Sequence, residues 1–329
     1  MAVTLALALC TLLFGSIGTL YLVKNNSMEP GIIEGDALWV RKLGIRHEAV
    51  FPFPHKEMRD GEEKIVWWNR VKLDLPYHYK WKRGDIALIA RPNERSRLAA
   101  IKRIVGLPGD TVKIRNRKIS VNNQVQLRNY PIKLNYRINF SNLESRVRIA
   151  EQLQQEPAKI STGPFWMLTL TDSQYVQLSS DTGVLYIRPI FQLASNASDA
   201  VWPRWKRYGW NVDNYGPVWI PKAGDSLELN ASNVRMYAAL VAREEASFLS
   251  YLPRGIALVD GKVSSHYTFK NNYYFVLGDN RHLALDSRFY GPIPEHRLLG
   301  KAGHIMFGTF SDQKGLKAVN WNRTWQRIK

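Results

Sequence analysis

The sequence predicts a mainly β protein: an antiparallel β core, interrupted by an inserted α+β subdomain and preceded by one transmembrane helix. Three observations carry this. Residues 1–23, MAVTLALALCTLLFGSIGTLYLV, contain no charged side chain. Beyond them, Thr111-Val112-Lys113-Ile114 and Lys118-Ile119-Ser120-Val121 alternate apolar and polar residues around a turn at Asn122-Asn123, the period-2 pattern of half-buried strands. Between about 125 and 265 helix signals appear, and strand-like sequence returns at Tyr273.

Taken in order, residues 1–23 are long enough to cross a bilayer, since a spanning helix needs about 20 apolar residues. They have no basic n-region and no small-x-small site closing the run, so a retained anchor is expected rather than a cleaved leader. Ala37-Leu38-Trp39-Val40 reads as a strand leaving the turn Gly35-Asp36. Residues 43–80, rich in Pro, His and charge, read as a surface excursion. Further strands are expected over 85–90 and 98–105, and short strands separated by turns imply antiparallel pairing.

The inserted part opens with Ser141-Asn142-Leu143-Glu144, a capping box. The helix it starts is expected to run to about 156, because Pro157 cannot continue it. Leu143, Val147, Ala150 and Leu153 fall on one face. A second helix is expected from after Ser232 to Tyr251, ended by Pro253. Between them lie Trp202, Trp205, Trp210 and Trp219, read as a small core, with strands around 165–170 and 184–192. The expected division is 1–23 anchor, 24–124 first part of the core, 125–265 insertion, 266–312 second part of the core, and 313–329 basic tail.

The chain has 329 residues, 45% of them hydrophobic, and a formal net charge of +18. Its one cysteine, Cys10, lies in the apolar run, which excludes an intramolecular disulfide and thiolate-based metal sites. The charge is dispersed, with no zinc-finger spacing, RNA-binding signature or long basic helix. Beside an anchor it reads as attraction to anionic phospholipid rather than to nucleic acid. Lys24, Arg41 and Lys42 after the anchor favour a cytoplasmic C-terminal domain, but long domains translocate largely regardless of charge, so orientation stays open at this level.

Ser27 follows the apolar run closely. A serine hydroxyl is a poor nucleophile until a base removes its proton. None of the seven histidines sits in a triad signature. Lysine can serve if its amine is neutral, which burial among apolar side chains favours. Lys102 lies in Leu98-Ala99-Ala100-Ile101-Lys102-Arg103-Ile104-Val105. Local sequence leaves two readings open: a neutral amine in an apolar setting, or a lysine that snorkels to solvent. Ser27 alone reads first as a cap after the membrane span.

Several blocks occur together: Ser27-Met28-x-Pro30, Gly35-Asp36, Arg83-Gly84-Asp85-Ile86, Lys102-Arg103-x-x-Gly106-x-Pro108-Gly109-Asp110, and Gly278-Asp279-Asn280-Arg281 with Asp286-Ser287-Arg288. In this order, behind a membrane helix, they resemble the boxes of type I signal peptidases. Trp210-Asn211 with Asp213-Asn214-Tyr215-Gly216-Pro217, and Ile220-Pro221-Lys222-x-Gly224-Asp225, resemble the large insertion of the Bacteroidetes type.

The resemblance implies a membrane-bound Ser–Lys endopeptidase that removes N-terminal signal peptides after small residues, at Ala-x-Ala sites. Ser27 would be the nucleophile and Lys102 the base. The Ser27 amide and Asn25, which stands where the family carries Ser, Thr or Gly, would hold the oxyanion. Met28, Ile86, Ala100 and Ile101 would line the substrate pockets. Arg103, Asp279, Asp286 and Arg288 would form a supporting charge network. No cofactor and no metal are implied. The partners would be signal peptides of secreted preproteins, phospholipid and the secretion translocon, not nucleic acid. The setting would be the bacterial cytoplasmic membrane, with the catalytic domain on the extracytoplasmic, periplasmic side. Ala284 stands where the family's last box has a serine that bonds the lysine, which leaves Lys102 more loosely oriented, or oriented by Ser287 or water. That departure keeps a second reading alive, a dedicated or catalytically weakened relative acting on few precursors.

Overall fold

The computed structural model describes residues 18–42, 47–51, 55–59, 62–66, 69–73, 79–92, 99–127, 129–160, 163–309 and 319–328. The fold is mainly β, built from antiparallel ladders with few helices. It divides into two compact units. Residues 1–24, 34–101 and 296–328 make the first, and 25–33 with 102–295 the second.

In the first unit Gly18–Leu22 pairs with Ala37–Arg41, Ala37–Arg41 with Leu298–Thr309, and Leu298–Thr309 with Ile86–Ala90, all antiparallel. The turn before Ala37–Arg41 needs glycine. Gly35 has φ +87°, and a Cβ there would meet the Thr309 carbonyl oxygen at 2.5 Å. Asp36 behind it is fully buried and accepts from Arg323 Nε at 2.7 Å and Nη2 at 2.6 Å. Asp85 accepts from the Tyr79 hydroxyl at 3.0 Å and Lys301 Nζ at 2.5 Å. Gly35-Asp36 and Gly84-Asp85 are therefore turn-and-anchor devices.

Residues 18–22 correct the sequence expectation that the apolar anchor runs to 23. They form a strand, in register from Gly18 opposite Arg41 to Leu22 opposite Ala37. Thr19, Tyr21 and Val23 favour extended backbone, and the ladder satisfies their amides and carbonyls without a helix. Residues 1–17 lie outside the described residues. Among the described residues no helix is long and apolar enough to cross a membrane. The 43–80 stretch contains two antiparallel ladders, His47–Phe51 with Asn69–Leu73 and His55–Arg59 with Glu62–Val66.

The unit boundary falls inside the strand Ala99–Gly106, after Ile101. In the second unit Arg103, Ile104 and Gly106 of that strand pair with Tyr273–Leu277. A four-stranded sheet joins Gln124–Val125, Lys118–Val121, Thr111–Arg115 and Tyr215–Trp219. Its core takes in Trp202, Trp210, Tyr215 and Phe275, with Trp219 packed against it, so most of the Trp-rich stretch is core, as the sequence suggests. A second four-stranded sheet orders Ala158–Lys159, Trp166–Leu170, Leu134–Phe140 and Val184–Pro189. It closes over Ile138, Ile149, Leu168 and Leu178.

Helix Leu143–Leu153 starts one residue later than its capping-box motif suggests. Asn142, not Ser141, is the N-cap, accepting from the Ser145 amide at 2.8 Å. The helix ends before 156 because Gln154 turns left-handed, at φ 49°. Its expected apolar face is only half used: Ala150 is buried, while Leu143 and Val147 are exposed. Helix Ala231–Glu245 stops well short of Tyr251, at Ala246 with φ 49°, and Leu249–Leu252 forms a strand. A third helix, Asp172–Ser179, carries a complete capping box from Thr171 and Gln174. The sequence signal Thr-x-x-Gln was there to be read.

Candidate active site

Ser27 sits in a tight turn. The Glu29 amide donates to the Asn26 carbonyl at 3.2 Å and the Ile32 amide to the Met28 carbonyl at 3.2 Å. Lys102 lies on the strand Ala99–Gly106, one residue before the Arg103–Leu277 pair. Both side chains are buried, Lys102 to 2% exposure. Lys102 Nζ donates to Ser27 Oγ at 2.8 Å. Two residues 75 positions apart are thereby placed at proton-transfer distance.

The Ser27 turn is held from its carbonyl side by Asn280. The Asn280 amide donates to the Ser27 carbonyl at 3.1 Å, and its Nδ2 to the Asn26 carbonyl at 3.2 Å. Asn280 belongs to a quoted motif, yet sequence reading gave it no role, because nothing local shows what it faces. Gly278 beside it is a close-approach glycine: a Cβ would lie 2.6 Å from the Ser27 carbonyl oxygen and 2.2 Å from Ala284 Cβ. Gly278→Ala is accordingly expected to destabilise the fold by about 1–3 kcal/mol, the cost of overpacking a buried site. Adding Ala284→Gly should recover part of that loss in thermal unfolding.

The four charged residues expected to support the site form two buried pairs. Arg103 Nε and Nη2 grip Asp279 at 2.9 and 2.6 Å, and the Arg103 guanidinium lies 3.7 Å from the Tyr130 ring centroid. Arg288 Nε and Nη2 grip Asp286 at 2.9 and 2.8 Å, and Nη2 also donates to the Arg281 carbonyl at 2.6 Å. Such forked contacts fix orientation as well as charge. Asp286 caps the short helix Ser287–Tyr290 and accepts from the Gly278 amide at 3.2 Å. Burial alone would lower the Arg288 pKa, and the adjoining Asp286 carboxylate raises it above the ordinary arginine value.

Other expected positions differ in role or surroundings. Asn25 presents its acceptor rather than its donor: the Ser27 amide donates to Asn25 Oδ1 at 3.1 Å. Met28 is buried in the second unit, and Ile86, Ala100 and Ile101 are buried in the first. Ala284 is buried, and Ser287 Oγ accepts from the Val276 amide at 2.9 Å, which ties that hydroxyl to the adjacent strand.

Sequence reading missed His282. Its Nδ1 accepts from the Asn135 amide at 3.1 Å, and its Nε2 faces Asp213 Oδ1 at 3.4 Å. Burial pushes the Asp213 pKa up, but the His282 contact, the Gln192 amide and the nearby Arg117 charge together bring it below the usual aspartate value.

Residues 1–181 and 224–307 match the family described as signal peptidase, peptidase S26. The chain belongs to this family. It is similar to the protein named signal peptidase I of Buchnera aphidicola subsp. Schizaphis graminum (strain Sg), at 24% identity over 300 residues, or 86% of this chain and 66% of that protein. It is also similar to signal peptidase I of Buchnera aphidicola subsp. Baizongia pistaciae (strain Bp), at 23% over 287 residues, or 86% and 67%. The chain spans about two thirds of the length of these curated relatives. The segments matching the signal peptidase family hold Ser27, Lys102 and the whole 278–288 block. Residues 182–223, with Asp213 and the four tryptophans, fall between the matched segments.

Proposed function

We propose that this chain is a membrane-bound serine endopeptidase that removes N-terminal signal peptides from secreted preproteins, with Ser27 as nucleophile and Lys102 as base. The observation that carries the reading is the buried 2.8 Å contact between Lys102 Nζ and Ser27 Oγ. Neutral Lys102 takes the Ser27 proton as Oγ adds to the scissile carbonyl carbon. Lys102 then gives that proton to the leaving amine as the acyl-enzyme forms. Water, deprotonated by the same amine, hydrolyses the ester. Positioned proton transfer of this kind contributes about 10²–10⁴-fold. The oxyanion forms at the Ser27 amide once the Asn25 carboxamide turns away from it, and the Asn25 amino group becomes the second donor.

The substrate adds as an extended strand, and small residues are selected at an Ala-x-Ala site. The Arg103–Asp279 and Asp286–Arg288 pairs hold the loops without touching substrate. The uncharged run near the N-terminus supplies the membrane anchor. The catalytic domain lies on the extracytoplasmic side of the bacterial cytoplasmic membrane, with anionic phospholipid and the translocon as neighbours. A second reading, a dedicated relative acting on few precursors, is favoured by Asn25 Oδ1 at the Ser27 amide and by Ala284 in the site loop.

The test is cleavage of a preprotein with alanine at positions −3 and −1 by the detergent-solubilised chain. One cut after position −1, lost when that alanine becomes tryptophan and lost in Ser27→Ala, is the expected result. A folded chain that cuts none of several such preproteins supports the dedicated relative. Cleavage that survives Ser27→Ala removes the proposal.

A further inference from the structure

We infer that Lys133, in the insertion, is a positioning residue for the Ser27 nucleophile, acting through Glu29. The inference rests on the Ser27–Lys102 reading above. Lys133 Nζ donates to Glu29 Oε2 at 2.8 Å, and the two side chains are 18% and 19% exposed. Glu29 lies two residues beyond Ser27, in the same tight turn. The backbone of Lys133 is held as firmly as its side chain. Its amide donates to the Asp279 carbonyl at 3.0 Å, and its carbonyl accepts from the Arg281 amide at 3.1 Å. These two bonds form a parallel bridge opposite Asn280, the residue whose amide holds the Ser27 carbonyl.

A closed ring of contacts results: Ser27 to Asn280, Asn280 across to Lys133, and Lys133 by its ammonium back to Glu29. One member of the ring is a partly buried ion pair, less screened than an exposed one. The ring fixes the turn from two sides, so the direction in which Oγ meets Lys102 depends on a residue 104 positions away from Glu29. His282, bonded to the Asn135 amide two residues further along the chain, clamps the facing loop. The insertion is thereby a brace for the nucleophile turn.

The experiment is steady-state cleavage of the Ala-x-Ala preprotein by full-length variants, with thermal unfolding followed in parallel. Lys133→Met and Glu29→Gln are each expected to lower kcat about tenfold to hundredfold, the penalty of a displaced reacting group. KM should stay within about twofold, since the interaction acts on the chemical step. The double variant should be no worse than the weaker single, because both remove one interaction. Lys133→Arg, which keeps the charge, should restore most of the rate. Lys206→Met takes the same charge from an exposed pair with Asp199, at 3.5 Å, and should leave kcat unchanged. An unaltered kcat in Lys133→Met, or losses that multiply in the double variant, would overturn the inference. If Lys133→Met does not fold, Glu29→Gln beside Lys133→Arg decides the matter. Loss of cleavage in Ser27→Ala with full rate in Lys133→Met removes this inference alone. Full rate in Ser27→Ala removes the dyad reading and this inference with it.

Discussion

Replacing Lys102 by methionine is expected to lower kcat for preprotein cleavage by about 10⁴-fold or more, with the chain still folded. Methionine keeps most of the buried volume of a side chain that is 2% exposed, so packing survives and the proton acceptor does not. Ser27→Ala should cost as much, and the double variant no more. Residues that act as one unit fail together, so the two losses do not multiply. Lys102→Arg should not rescue the rate, because a guanidinium stays protonated at any pH the fold tolerates. Multiplicative losses, or partial activity in the arginine variant, would show that Lys102 holds Ser27 in place without taking its proton.

The largest loss of stability is expected at Glu245, far along the chain from either member of that pair. Its carboxylate closes helix Ala231–Glu245 and is buried. It accepts from the Tyr267 hydroxyl at 2.5 Å, the Tyr273 hydroxyl at 2.8 Å and the Lys270 amide at 3.0 Å. The Asn271 amide adds a further bond at 3.2 Å. Glu245→Ala strands all these donors in a buried site, and the expected cost is about 3–5 kcal/mol. Guanidinium unfolding followed by tryptophan fluorescence measures it. Glu245→Gln, which keeps one acceptor, should fall between.

Alkaline pH should expose the same hub. Burial first, and then the Glu245 carboxylate, push both tyrosine hydroxyls above their ordinary value. The unfolded chain ionises them near pH ~10. Their contribution is therefore complete below that pH and is lost as pH rises toward the folded values. A midpoint unchanged in Glu245→Ala would mean the hub contributes nothing.

Much of the architecture was legible because strands announce themselves locally. Ala37–Arg41, Thr111–Arg115, Lys118–Val121 and Tyr273–Leu277 lie within a residue of their expected bounds, since an alternating or short apolar run between turn residues fixes both ends. The helices were harder to bound. The second helix, expected to reach Tyr251, stops at the buried Glu245. The strand at 18–22 was hidden by its neighbours: an uncharged run gives no sign of where a helix-compatible stretch yields to a ladder.

At the site, Ser27, Lys102 and the two arginine–aspartate pairs were named through a resemblance. Neither serine nor lysine has a local pattern that marks it as reactive. Lys133 and Glu29 were invisible for a simpler reason. Each is an ordinary surface-type charge until the fold brings together segments more than a hundred residues apart.

The Asn280 contact with Asn26 spans 254 positions, and the Arg103 contact with Asp279 spans 176. Closures of this length come late, because chain entropy opposes them until the intervening structure exists. A chain still being synthesised carries its serine and lysine early. It has no Asn280 to fix the one and no Asp279 to anchor the strand of the other until synthesis has passed residue 280. Order of assembly thus leaves the Ser27 turn unbraced until the chain has grown past residue 280.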